Sequence, residues 1–157
     1  MEPFEELRKA FRVNVIASVA IIAALFILAV VVEIVRYRLE PFQGLSQTPA
    51  RQVVRYIFYG LAVFVVVLLR VFGRILVRSQ QGESPQAFIQ RLTRAVIYTA
   101  SLAEIPALLG FVLFLLLGTF RDFYVLLFVS LFLEFMYFPR IKTWEDMIRN
   151  AFPQLKI

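Results

Sequence analysis

Four apolar runs dominate this chain, and each approaches or meets the length a helix needs to cross a lipid bilayer. Such a helix takes about 20 apolar residues at 1.5 Å rise to traverse roughly 30 Å of hydrocarbon. The runs cover 13–35, broken only by Asn14, Ser18 and Glu33; 53–76, with Arg70 and Arg74 in its second half; 95–117; and 121–138, the shortest. Hydrocarbon offers no partner to a backbone N–H or C=O, so runs of this length predict helices, which satisfy those groups internally. The expected fold class is all-α: a polytopic membrane bundle of four transmembrane helices, forming one domain over 1–157. Composition agrees, because 61% hydrophobic and 18% charged residues leave too little polar surface to cover a water-soluble domain of 157 residues.

Punctuation between the runs fits that plan. Glu40 to Pro49 holds two prolines and a glycine, which favour turns over helix. Ser84-Pro85 is an N-cap and first-turn pair, so the third helix is expected to begin about ten residues ahead of its apolar run. Gly118 is placed to stop that helix and Pro139 to end the fourth. Beyond it, Trp144, Met147, Ile148, Ala151 and Phe152 recur at three- and four-residue spacing, and Thr143 with Asp146 resembles a capping box. This pattern predicts a short amphipathic helix over 143–153 lying flat on the membrane interface. Phe4, Leu7 and Phe11 give residues 1–12 a shorter version of it.

Orientation follows from the basic residues. With the N-terminus inside, twelve of the 17 Lys and Arg fall on the cytoplasmic side and five on the other, so both termini are expected inside. No secretory signal is expected, because the first run exceeds a typical signal core and no small-residue cleavage site follows. A multi-pass protein of a cell membrane results, and the pattern suits a bacterial inner membrane. The net charge of +6 is topological, since the basic residues, fourteen of them Arg, gather at the ends of the runs and build no continuous face; nucleic acid is not an expected partner.

Cysteine and histidine are both absent from the sequence. Disulfide exchange, iron–sulfur clusters and His-ligated haem are thereby excluded. No metal-ligand spacing, nucleotide-binding loop or nucleophile elbow occurs either, so neither an enzyme nor a bound cofactor is expected.

The residue that stands out is Glu104, about nine residues into the third run and so roughly 14 Å deep. An ionisable group there costs at least about 2.5 kcal/mol on insertion scales and is a functional candidate by default. Ala100, Ala103, Ala107 and Gly110 form a stripe of small residues beside it, which invites close helix packing. Pro106 lies two residues on and frees a carbonyl near Leu102; a kink there can line an ion site, or Ser101 and Thr99 can absorb the freed group.

The stretch Leu102-Ala103-Glu104-Ile105-Pro106-Ala107-Leu108-Leu109-Gly110 resembles the carboxylate-bearing helix of rotary ATP synthase proteolipids, the c subunits. The resemblance covers residues 95–118. It implies that Glu104 takes up a translocated proton or monovalent cation. The rest of the chain does not match that family: it has two further helices, and no preceding helix carries repeated glycines.

A competing expectation uses this chain alone. Arg70 lies at about the depth of Glu104, and Arg74 at that of Glu134, near the inner end of the fourth run. If the face of Arg70, Arg74 and Arg78 points inward, Arg70–Glu104 and Arg74–Glu134 form interhelical ion pairs; if it points to lipid, the arginines reach for phosphates and Glu104 has no cation. Glu33 is expected to meet Arg36 or Arg55. Two functions follow: association, as a homo-oligomer or as an accessory subunit beside other membrane subunits, or ion translocation through Glu104. The lipid bilayer is the partner common to both.

Overall fold

The computed structural model describes residues 3–39, 42–45, 50–76 and 84–152, excepting the side chains of 3, 4, 72–76 and 151. All regular structure among them is α-helical: α1 (Pro3–Arg38), α2 (Arg51–Leu76), α3 (Pro85–Leu117), α4 (Phe120–Tyr137) and α5 (Ile141–Ala151). α1, α2 and α3 are each long and apolar enough to cross a membrane, while α4 and α5 pass the same test together as a pair bent by 49°. The chain is thus an all-α bundle with three such helices, or four when the bent pair counts as one span.

Capping sets the boundaries. Ser84 Oγ accepts the Ala87 N–H at 3.3 Å and Pro85 fills the first turn of α3, where its missing N–H costs nothing. At the other end Gly118 adopts φ 70° and returns its N–H to the Phe114 carbonyl. α5 starts at Ile141 behind Arg140, with no side-chain cap, so Thr143 lies inside the first turn and the capping box expected of Thr143 and Asp146 does not form.

α3 is the central element, and α1, α2 and α4 all pack on it. Ala100, Ala103 and Ala107 are 0–5% exposed and Gly110 is buried, which lets the neighbours approach its backbone. A Cβ on Gly110 would stand 2.9 Å from Leu126 Cβ and 3.2 Å from the Phe123 carbonyl oxygen of α4. Gly110→Ala is therefore expected to lower stability by about 1–2 kcal/mol, because backbone on one side cannot yield. Unfolding of the detergent-solubilised protein by heat or by SDS measures it, and an unchanged midpoint would refute close packing at this point.

α1 buries a narrow seam, Leu7, Asn14, Ser18, Leu25 and Val32, at spacings of four and seven residues. Leu25 and Val32 join Ala107, Phe114, Phe123 and Leu127 in one core cluster; Val65, Leu69, Ala103 and Leu133 form another between α2, α3 and α4.

Helices of 36 and 33 residues are about 54 and 50 Å long, well beyond the hydrocarbon thickness. α1 and α3 overhang at the end of the bundle that carries both termini. There Leu7, Phe88, Ile89 and Leu92 bury Trp144 and Ile148 of α5, with Phe11 edge-on to Trp144 at 5.8 Å. This changes the expectation for the tails: the described part of residues 1–12 continues α1 without a break, and the apolar face of α5 is turned onto protein instead of lying flat on lipid. Two overhanging helices with matching apolar stripes supply α5 with a protein surface.

Candidate functional site

The polar residues inside the bundle fall into a group at the loop end, opposite the termini, and a group near mid-bundle. The loop-end group starts from the first turns of α4. Asp122 and Tyr124, two residues apart, project from opposite sides of the helix. Asp122, 1% exposed, pairs with Arg55 of α2 and accepts the Tyr59 hydroxyl at 2.9 Å. Tyr124 donates to Glu33 of α1, which also meets Arg36 at 3.6 Å, while the Arg36 guanidinium sits 4.3 Å from the Phe120 ring centre. Every charge here has a partner, so the group ties α4 to both flanking helices. Of these contacts Glu33–Arg36 was legible from its i, i+3 spacing. Asp122–Arg55 was not, although both residues stand near the loop end of an apolar run.

Mid-bundle, beside Pro106, a side chain of α4 reaches the α3 backbone. Ser130 Oγ accepts the Ala107 N–H at 2.8 Å and lies 3.5 Å from the Glu104 carbonyl oxygen. Thr99, expected to absorb the carbonyl freed near Leu102, donates instead to the Ala95 and Val96 carbonyls, both at 2.9 Å, and Ser101, the other expected group, is exposed. The contact fixes an antiparallel register in which Glu104 of α3 and Glu134 of α4 stand at one level, a turn further toward the terminal end. The two carboxylates are within electrostatic reach of each other. Glu134 is 2% exposed, and its Oε1 is buried without a hydrogen-bond partner among the described residues; Glu104 is half-buried.

The expected ion pair between Arg70 and Glu104 does not form: the ion pairs among the described residues are Arg36–Glu33 and Arg55–Asp122. Helix rotation is the reason. α2 turns Leu69 inward against Ala103, so Arg70, 100° further round, leaves that interface, while Glu104, 100° past Ala103, faces α4. The side chain of Arg74, expected opposite Glu134, lies outside the described residues, as does Arg78.

Two polar residues of α1 lie between the carboxyl pair and the terminal end. Leu7 shares a cluster with Ile89, and Leu25 with Ala107, so α1 and α3 run parallel in a register that sets Ile22 near the level of Glu104 and Ser18 near Ala100. Asn14 follows, about 12 Å from that level. It is fully buried; its Nδ2 donates to the Ala10 carbonyl at 3.0 Å and its Oδ1 has no partner. No three acidic side chains gather to hold a metal ion among the described residues. A carboxyl pair of this kind offers one negative site for a proton or a monovalent cation.

No protein family, curated protein or solved structure matches this chain. Its function is read from the residues themselves.

Proposed function

We propose that this chain is a multi-pass protein of a cell membrane, with both termini on the cytoplasmic side, that binds and passes a proton or monovalent cation at the Glu104–Glu134 pair. The observation that carries the reading is the Glu134 carboxylate, 2% exposed, with one oxygen unpartnered and its charged neighbour another acid. A purely structural carboxylate at that depth would be accompanied by a cation or a full set of donors. The resemblance of residues 95–118 to the proteolipid helix points the same way, and it adds a partner: Glu104 would have a second carboxylate on the next helix. The twelve-to-five bias of basic residues supports the orientation and fits a bacterial inner membrane.

Carbodiimide labelling of the protein reconstituted in lipid vesicles tests this. Glu104 or Glu134 is expected to label, with sodium ion or alkaline pH slowing the reaction at least about threefold, and Glu104→Gln together with Glu134→Gln abolishing both labelling and ion flux. Vesicles that show neither labelling nor flux would overturn the proposal.

A second reading, association as a homo-oligomer or as a subunit of a larger membrane complex, has its own support. The most apolar windows of α1 and α2 are only 17% buried within the chain, against 44% for α3. Their outer faces are available to lipid or to further helices. Native mass spectrometry from lipid nanodiscs separates the two cases, a strictly monomeric species arguing against association.

A further inference from the structure

At the terminal end, where α4 bends into α5, a cavity of about 600 Å³ opens between α2, α3 and α5. Its walls are apolar, formed by side chains such as Leu92, Val96, Phe138 and Trp144, yet it holds two arginines, Arg70 and Arg140. No carboxylate among the described residues lines it. Neither guanidinium takes part in an ion pair or hydrogen bond among the described residues. The rotation that removes Arg70 from Glu104 is what delivers it here.

Both arginines are exposed at the rim of this apolar cavity, two positive charges with no anion beside them among the described residues. Arginine presents a planar fork of donors that matches phosphate oxygens, and its charge costs free energy until an anion meets it. The apolar walls favour a ligand that is itself part hydrocarbon. The cavity also lies at the bend where the apolar α4 gives way to the amphipathic α5, and a span that ends at this bend sets the cavity at the level of the lipid headgroups. We propose that this cavity binds the phosphate of an anionic membrane phospholipid, with its glycerol and first methylenes against the apolar wall. Absence of a carboxylate among the described lining residues matters for selectivity, because no anionic group there pairs with the choline or ammonium group of a zwitterionic lipid. The proposal is independent of the carboxyl pair, which faces another interface.

The chain has a single tryptophan, and Trp144 lines this cavity, so its fluorescence reports on this site alone. The protein is reconstituted in phosphatidylcholine vesicles that contain a small mole fraction of brominated phosphatidylglycerol or of brominated phosphatidylcholine. Brominated phosphatidylglycerol should quench Trp144 with a relative association constant at least about fivefold higher, the scale of one arginine near a lipid phosphate. Arg70→Gln with Arg140→Gln should reduce the preference to near one, whereas Arg149→Gln, exposed at the same end but outside the cavity, should leave it unchanged. Arg140→Gln alone, at an exposed position, should lower the preference and carries the test if the double variant does not fold.

Equal quenching by the two lipids, or a preference that survives both substitutions, would overturn the proposal. So would relief of quenching by millimolar inorganic phosphate or glycerol phosphate, which would make the cavity a site for soluble anions.

Discussion

Gly118→Val should lower the unfolding free energy by about 3–5 kcal/mol and disorganise the loop end of the bundle, a larger effect than Gly110→Ala within α3. Gly118 occupies φ 70°, where a β-branched residue is strained by about 1–2 kcal/mol. Its position is also crowded by backbone: a Cβ would fall 2.6 Å from the Gln43 carbonyl carbon and 2.7 Å from Gly44 N. Gly44, at φ 84°, returns the contact, since its own Cβ would fall 2.6 Å from Gly118 N. Residues 42–45 of the α1–α2 connection therefore lie directly on the C-terminus of α3. Two hydrogen bonds depend on that approach, Leu45 N–H to the Leu115 carbonyl at 2.9 Å and the Arg51 guanidinium to the Leu117 carbonyl at 2.7 Å. Each occupies a carbonyl that the helix end leaves free, and a displaced loop loses both, about 1 kcal/mol apiece. Gly60→Ala is the matched comparison, because nothing lies within 4 Å of its Cβ position; it should be neutral or slightly stabilising. Equal unfolding midpoints for the two variants would refute the docking of the loop.

Glu134→Leu should make the protein more stable, by about 2–3 kcal/mol, while abolishing cation-sensitive carbodiimide labelling and ion flux. Leucine is apolar and only about one methylene larger than glutamate, so at this buried position the substitution removes the unpartnered oxygen at a small packing cost. A residue that lowers stability where it stands is retained for another reason, and ion binding is the reason proposed here. The opposite outcome is equally informative. If Glu134 is one half of a structural ion pair, its removal strands the partner cation and stability falls by several kcal/mol. Thermal unfolding of the purified protein, with flux measured on the same preparation, decides between them.

The sequence carried the elements of the fold better than their faces. Apolar runs, Ser84-Pro85, Gly118 and Pro139 mark helices and ends because each acts through its own backbone within a few residues. The small-residue stripe of α3 was readable for the same reason: a period of 3.6 fixes which residues share a side. Pairing across helices was another matter. Depth along the membrane placed Arg70 beside Glu104, but depth leaves the rotation of α2 free, and a turn of 100° separates Leu69 in the core from Arg70 in the cavity. Ser130, Asp122 and Tyr59 carry no signal in the sequence, because an isolated polar residue in an apolar run has no meaning until its neighbour across the interface is known. Asn14 and Ser18 read as interruptions of an apolar run, and their shared seam with Leu7 and Leu25 appears only once α3 is in place.

The arrangement of helices around α3 bears on how the protein is made. α1 and α2 leave the ribosome first, yet among the described residues they share no extensive interface with each other; both pack on α3. The Leu117 carbonyl that receives Arg51 lies 66 residues later in the chain. The nascent first half therefore enters the bilayer as two unassociated helices, and their final rotation is set only when α3 arrives between them. Premature termination before residue 117 would leave spans with nothing to dock on, a ready substrate for membrane quality-control proteases.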